Sequence, residues 1–275
     1  MKSHNQLLFV LLIIWMAATT RAHAQNNEIE NLFHDLEAMD AGTQAPFDKA
    51  DPILKRLVQS SRENVAAALP LILHATSDPH LSVRRVAADA LYQIITTRPD
   101  GQALLSPETS TFAALLVDPD IPIRRITGMA IQGLHPDASS PLLPVLEAYL
   151  AREDAVSTIG AGVAGVLMQA APSKADSTSA IVQFMRRQDQ TSKSRNDILQ
   201  SIQVSKSHSR EIGKEVAGYA DDPDEQTSVH AIEVLQGMGK DVVLDNQLSL
   251  SQVAADNRRA PGVRAAATKA LSAVP

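Results

Sequence analysis

An all-α array of stacked helix pairs is the fold this sequence predicts, and three observations predict it. First, the stretch Asp78-Pro79-His80-Leu81-Ser82-Val83-Arg84-Arg85-Val86-Ala87-Ala88-Asp89-Ala90-Leu91 returns 40 residues later. It reads there Asp118-Pro119-Asp120-Ile121-Pro122-Ile123-Arg124-Arg125-Ile126-Thr127-Gly128-Met129-Ala130-Ile131. Near the end comes Pro261-Gly262-Val263-Arg264-Ala265-Ala266-Ala267-Thr268-Lys269-Ala270-Leu271, and a period of this size marks stacked units. Second, Val83, Ala87, Ala90, Leu91 and Ile94 recur at helical spacing, one apolar stripe rather than strand alternation. Third, aromatics make up only 3% of the 275 residues, which suits a thin core of closely stacked Ala, Leu and Val helices.

The first 24 residues read as a secretory leader. Lys2 gives a small positive start, Leu7 to Ala18 an apolar core, and Ala22-His23-Ala24 a small-x-small cleavage site, so the mature chain begins at Gln25. The competing reading is a membrane anchor, for which the apolar run is short against the ~20 residues of a usual span. No stable span is expected after cleavage. The leader carries away Lys2, Arg21 and the one tryptophan, Trp15, so the mature charge is −8 where the whole chain has −6. An acidic exported chain lacks the basic footprint that nucleic acid needs. The absence of cysteine excludes disulfides, thiol catalysis and lipid attachment through a cysteine.

Residues 25–60 lie outside the repeat. Ile29, Leu32, Phe33 and Leu36 make one helical stripe; Ile53, Leu54, Leu57 and Val58 make another beyond a breaker at Ala41 to Pro46. This predicts a helical cap, which a repeat array needs to stay soluble. The array itself is expected over residues 61–275. Asp-Pro opens the turns at Asp78, Asp118 and Asp222, because Asp bonds the backbone ahead of it and Pro presets φ. Aligned on Leu91, the second helices continue through Ile131, then Leu167 after Asp154-Ala155-Val156-Ser157, then Ile202, Leu235 and Leu271. The first helices include Leu142 to Leu150, Ala180 to Arg187 and Ile212 to Tyr219. No linker long enough to divide the array is visible, which predicts one domain.

Asp-Pro followed by Val/Ile-Arg and by Ala and Leu on the stripe resembles the HEAT repeat, especially its short phycobilisome-lyase-like variety. The resemblance covers residues 60 to 275 and implies a right-handed α-solenoid of about six helix pairs. In such arrays Asp78, Arg84, Asp118, Arg124, Asp222 and Arg264 are expected to form a structural ladder between repeats. Arg85 and Arg125 follow the ladder arginines and point about 100° further round the helix. With Asp89, Tyr92, Met129 and Gln132 they are the candidate partner-binding residues on the concave face. In later copies that face turns polar, through Asn196, Gln200, Gln203, Glu233, Gln236 and Lys269.

No catalytic residue or metal site stands out, and no cofactor is implied. Gly160-Ala161-Gly162-Val163-Ala164-Gly165 matches a dinucleotide fingerprint in letters, but no strand precedes it. It falls inside a second helix, where small residues let helices pack closely. The six mature histidines show no paired ligand spacing. The function expected is an exported, non-enzymatic scaffold that binds a protein or peptide; with a bacterial source, its compartment is the periplasm or beyond. One alternative is a structural part of an envelope assembly, held through repeat edges. Another is an enzyme, since some HEAT-like proteins are similar to bilin lyases or alkyl-purine DNA glycosylases. The glycosylases use groove tryptophans and a basic surface, and the mature chain has neither.

Overall fold

Prolines, glycines and Asp-Pro turns mark many of the helix boundaries, although Pro52 and Pro70 lie inside helices. The structure, a computed structural model, describes residues 24–152, 158–172 and 174–274. The expected leader up to residue 23 and the Asp154-Ala155-Val156-Ser157 turn lie outside the described residues.

Every regular element among the described residues is helical. The order is α1 (24–37), α2 (Ala45–Val58), α3 (Arg62–Ala75), α4 (Leu81–Thr97), α5 (Gly101–Leu105), α6 (Thr109–Leu116), α7 (Ile121–Ile131), α8 (Pro136–Ser139) and α9 (Leu143–Leu150). It continues with α10 (Thr158–Ala170), α11 (Ala175–Met185), α12 (Ser192–Ser205), α13 (Arg210–Tyr219), α14 (Glu225–Met238), α15 (Lys240–Asp245), α16 (Gln247–Ala255) and α17 (Pro261–Ser272). Short 3₁₀ turns at Ser106–Glu108 and Ser140–Leu142, each carrying a proline, split what would otherwise be single first helices.

The chain divides into two units, one ending at Leu134 and one beginning at His135, where the sequence predicts a single continuous array. The boundary follows the truncation of α7, 11 residues against the 17 of α4, at a Gly133-Leu134-His135-Pro136 break. Within the first unit, α2 packs on α4 and α4 on α7, while α3 and α6 each cover their own partner. The cap thus contributes α2 to the row of second helices. Within the second unit, α10, α12, α14 and α17 stack in one row and α9, α11, α13 and α15 in another.

The stripe that predicts these rows is the core. Val83, Ala87, Ala90, Leu91 and Ile94 are all buried, as are Ile29, Leu32, Leu36, Leu54 and Leu57 of the first pair. One such pair exposes an apolar face; its neighbours cover it. The Asp-Pro turns form as their chemistry requires. Asp78, Asp118 and Asp222 each accept the backbone N–H two residues on, at 2.7, 2.8 and 2.9 Å. Asp120 and Asp224 then cap α7 and α14 by accepting the N–H of Ile123 and Thr227. Gly160, Gly162 and Gly165 sit inside α10, and Gly165 lies against Ser201 of α12. The glycine-rich stretch is a packing surface between second helices.

Gly101 is fixed by close approach. A Cβ there would stand 2.0 Å from the carbonyl oxygen of Ile94. Gly101→Ala must push α5 off the end of α4, and we expect a loss of at least about 2 kcal/mol, measured by urea denaturation.

Candidate functional site

Each turn between pairs leaves the last carbonyls of one helix without an intrahelical donor. Arginine, with five fixed donors, supplies what is missing. Arg84 donates from Nη1 to the carbonyls of Asp78 and Pro79, at 2.9 and 3.1 Å, and from Nε to the Asp118 carboxylate of the next turn, at 3.1 Å. Arg124 repeats the inward half of this clasp: its Nη1 donates to the carbonyls of Asp118 and Pro119, at 2.6 and 3.0 Å, and the residue is buried. Asp118 is therefore held by its carboxylate from the pair before and by its carbonyl from its own pair.

The second unit uses the same clasp with a residue that the sequence reading misses. Arg195 stands six residues after Asp189, the same spacing as Arg84 after Asp78. Its Nε lies 2.8 Å from Oδ2 of Asp222, and its Nη1 donates to the carbonyl of Gln190. Asp222, expected in the ladder, is thus paired from α12. In the next copy Ser228 takes the arginine position and donates its hydroxyl to the carbonyl of Asp222 at 2.8 Å. Arg264 departs from expectation: it donates to the side chain of Asn257, because no Asp-Pro turn precedes α17. The carboxylate of Asp78 serves its own turn through His80. Arg98 is a further clasp, donating to the carbonyls of Val58 and Ser60 while forking onto Asp100.

The structure divides the six candidate partner-binding residues. Arg85 does not offer a free charge, which corrects the expected pair of exposed arginines. Its Nε and Nη2 fork onto the Asp120 carboxylate, at 3.1 and 2.7 Å, and its Nη1 donates to the carbonyl of Ala41. The physical reason is reach: from α4 the side chain spans both the preceding and the following turn. Burial alone would raise the Asp120 carboxyl, but the hydrogen bonds from Arg85 and the Ile123 N–H bring it below the usual carboxylate range. Asp89 is half-buried; desolvation raises its pKa, and the Gln93 amide that donates to it at 2.7 Å only partly offsets this. Tyr92 and Met129 are half-buried, and Arg125 and Gln132 are exposed. Arg125, Met129 and Gln132 fall at i, i+4 and i+7, on one face of α7. Among the described residues Arg125 has no carboxylate partner.

Among the described residues no group of three His, Asp or Glu side chains could hold a metal ion, and no helix is long and apolar enough to cross a membrane. The rows of stacked helix pairs define a helical-repeat protein of the all-α solenoid class. More particularly, a family model of the HEAT repeat matches residues 68–97, the span from the middle of α3 through the Asp-Pro turn to the end of α4. No curated protein matches the chain. HEAT repeats commonly act as protein-interaction scaffolds, and the fold is typically non-enzymatic.

Two substitutions test this reading of the site. Arg84→Ala removes the cation from the Asp118 carboxylate, leaving it the Asp120 N–H, and takes a donor from two turn carbonyls; we expect about 2–4 kcal/mol lost in chemical denaturation. Asp89→Asn is expected to stabilise near neutral pH. A carboxylate whose folded pKa is raised opposes folding fully above that folded value; the penalty shrinks as pH falls through it and is gone below the unfolded pKa. The advantage of the Asn variant should therefore be present at pH 7 and vanish below about pH 3.9, when denaturation curves are compared at the two pH values.

Proposed function

We propose that this chain is an exported, non-enzymatic HEAT-repeat scaffold, of the phycobilisome-lyase-like variety, that binds a protein or peptide through the second-helix face of its first unit. The observation that carries the proposal is the open strip of Arg125, Met129 and Gln132 on α7, beside the half-buried Tyr92 of α4. Arginine and tyrosine are the residue types that most often carry interface energy, and a flexible methionine between them adapts to a partner surface. A cation with no carboxylate partner among the described residues, in a chain of net charge −6, favours an acidic partner. Export rests on Lys2, the apolar Leu7 to Ala18 and the Ala22-His23-Ala24 site. The side chains just beyond that site already join the fold: Gln25 donates to Ser60 and Asn26 to the carbonyl of Ala67. The periplasm or the exterior of a bacterial cell is the compartment proposed.

Arg125→Glu should weaken capture of an acidic partner, read by crosslinking in the envelope fraction, with little change in melting temperature. Arg85→Glu should lower the melting temperature, because it breaks the fork onto Asp120. Capture that survives Arg125→Glu undiminished would move the contact to the repeat edges, as in an envelope assembly. N-terminal sequencing of the exported protein should begin at Gln25; a retained Met1 in a membrane pellet would count against export.

A further inference from the structure

The second unit contains a cleft of about 840 Å³ between α11, the α12–α13 connection and α13. That volume lies within the range of small-molecule sites. One wall is mixed, with Pro172, Ala175 and Val182 as its apolar part and Thr178 and Ser179 between them. The other carries Lys206, Ser207 and His208, with Lys214 beyond them.

Two further observations meet at Lys206. The first concerns the backbone. α12 ends in a paired arrangement in which the N–H of Ser207 donates to the carbonyl of Ile202 and that of Lys206 to the carbonyl of Gln203. This C-terminal motif requires a left-handed residue, for which glycine is the usual choice. Lys206 takes it instead, at φ 52° and ψ 41°, and among the described residues it is the one non-glycine with positive φ. A glycine would relieve that strain.

The second observation concerns charge. Arg186 in the cleft is ion-paired with Glu215. Glu211 accepts the Ser209 hydroxyl and lies close enough to Lys214 to feel its charge. Among the described residues Lys206 has no such partner, so the cleft keeps one unmatched positive charge in an acidic chain. His208 is turned with Nδ1 2.6 Å from the carbonyl of Met238, which fixes the ring at the cleft rim.

We propose that this cleft binds a small amphiphilic carboxylate, its anionic head on Lys206 and its apolar body against Val182, Ala175 and Pro172. One unmatched cation suits a monoanion, and the apolar part of the wall opposite suits a ligand with a short hydrocarbon part. The site is separate from the α7 strip and stands or falls without it.

Hexanoate is the probe, with hexanol as the uncharged control, each titrated into the purified chain while the amide resonances of Ser207 and His208 are followed by NMR. Hexanoate should give saturable shifts and hexanol none. Lys206→Gly keeps the left-handed backbone and removes the cation. It should weaken hexanoate binding about tenfold or more, the worth of a charge-assisted contact, while the melting temperature holds or rises. Unsaturable shifts, equal response to hexanol, or unchanged hexanoate affinity in Lys206→Gly would each overturn the proposal.

Discussion

A stack of short helices faces one recurring constraint: every turn ends a helix, and every helix end strands carbonyls that water cannot fully reach once the next pair is laid on top. The arginines of this chain answer it. Arg84, Arg124 and Arg195 each reach back to carbonyls of their own turn, and Arg84 and Arg195 also grip an aspartate of the following one. The grip is worth more than a surface ion pair, because the Arg84 and Asp118 side chains are only 16% and 10% exposed and the geometry is multiply hydrogen-bonded. Remove the guanidinium and the loss is a desolvated carboxylate plus open carbonyls, rather than one weak contact.

The same constraint explains which parts of the molecule the sequence discloses. Helix positions, the Ala-rich stripe and the Asp-Pro caps follow from local chemistry, so Val83 to Ile94 and the Asp118-Pro119-Asp120 turn are legible from the letters alone. Reach is not. Arg84 and Arg85 are adjacent in sequence, and helical geometry separates them by direction, yet Arg85 is long enough to curl onto Asp120 and Ala41. A residue's angle on a helical wheel gives the direction of its Cβ and not the position of its guanidinium. Arg195 is the converse case: the signal was present, as an arginine six residues after Asp189, but the missing proline disguised the turn. Lys206 could not be found at all, since nothing in the string Val204-Ser205-Lys206-Ser207 announces a left-handed backbone.

What the clasps leave over is what stays open to solvent. On α7 the ladder uses Arg124, and the core uses Ile123, Thr127, Ala130 and Ile131. Arg125, Met129 and Gln132 are committed to neither. Repetition thus has two outcomes in one helix turn: one arginine closes the stack, and its neighbour stays exposed. On α4 both arginines are committed to closing the stack, which is why the two copies, so similar in sequence, are not equivalent as surfaces.

The clasps also join residues that are close along the chain. Arg84 to Asp118 spans 34 residues, Arg85 to Asp120 spans 35, and Ser82 to the carbonyl of Leu36 spans 46. In a chain of 275 residues these are short loops, and their closure entropy is correspondingly modest. Low contact order favours rapid folding, and a stack coupled through nearest neighbours can nucleate at any well-made pair and zip outward. A chain synthesised from its N-terminus onward can therefore order each pair soon after its predecessor, without waiting for its C-terminus.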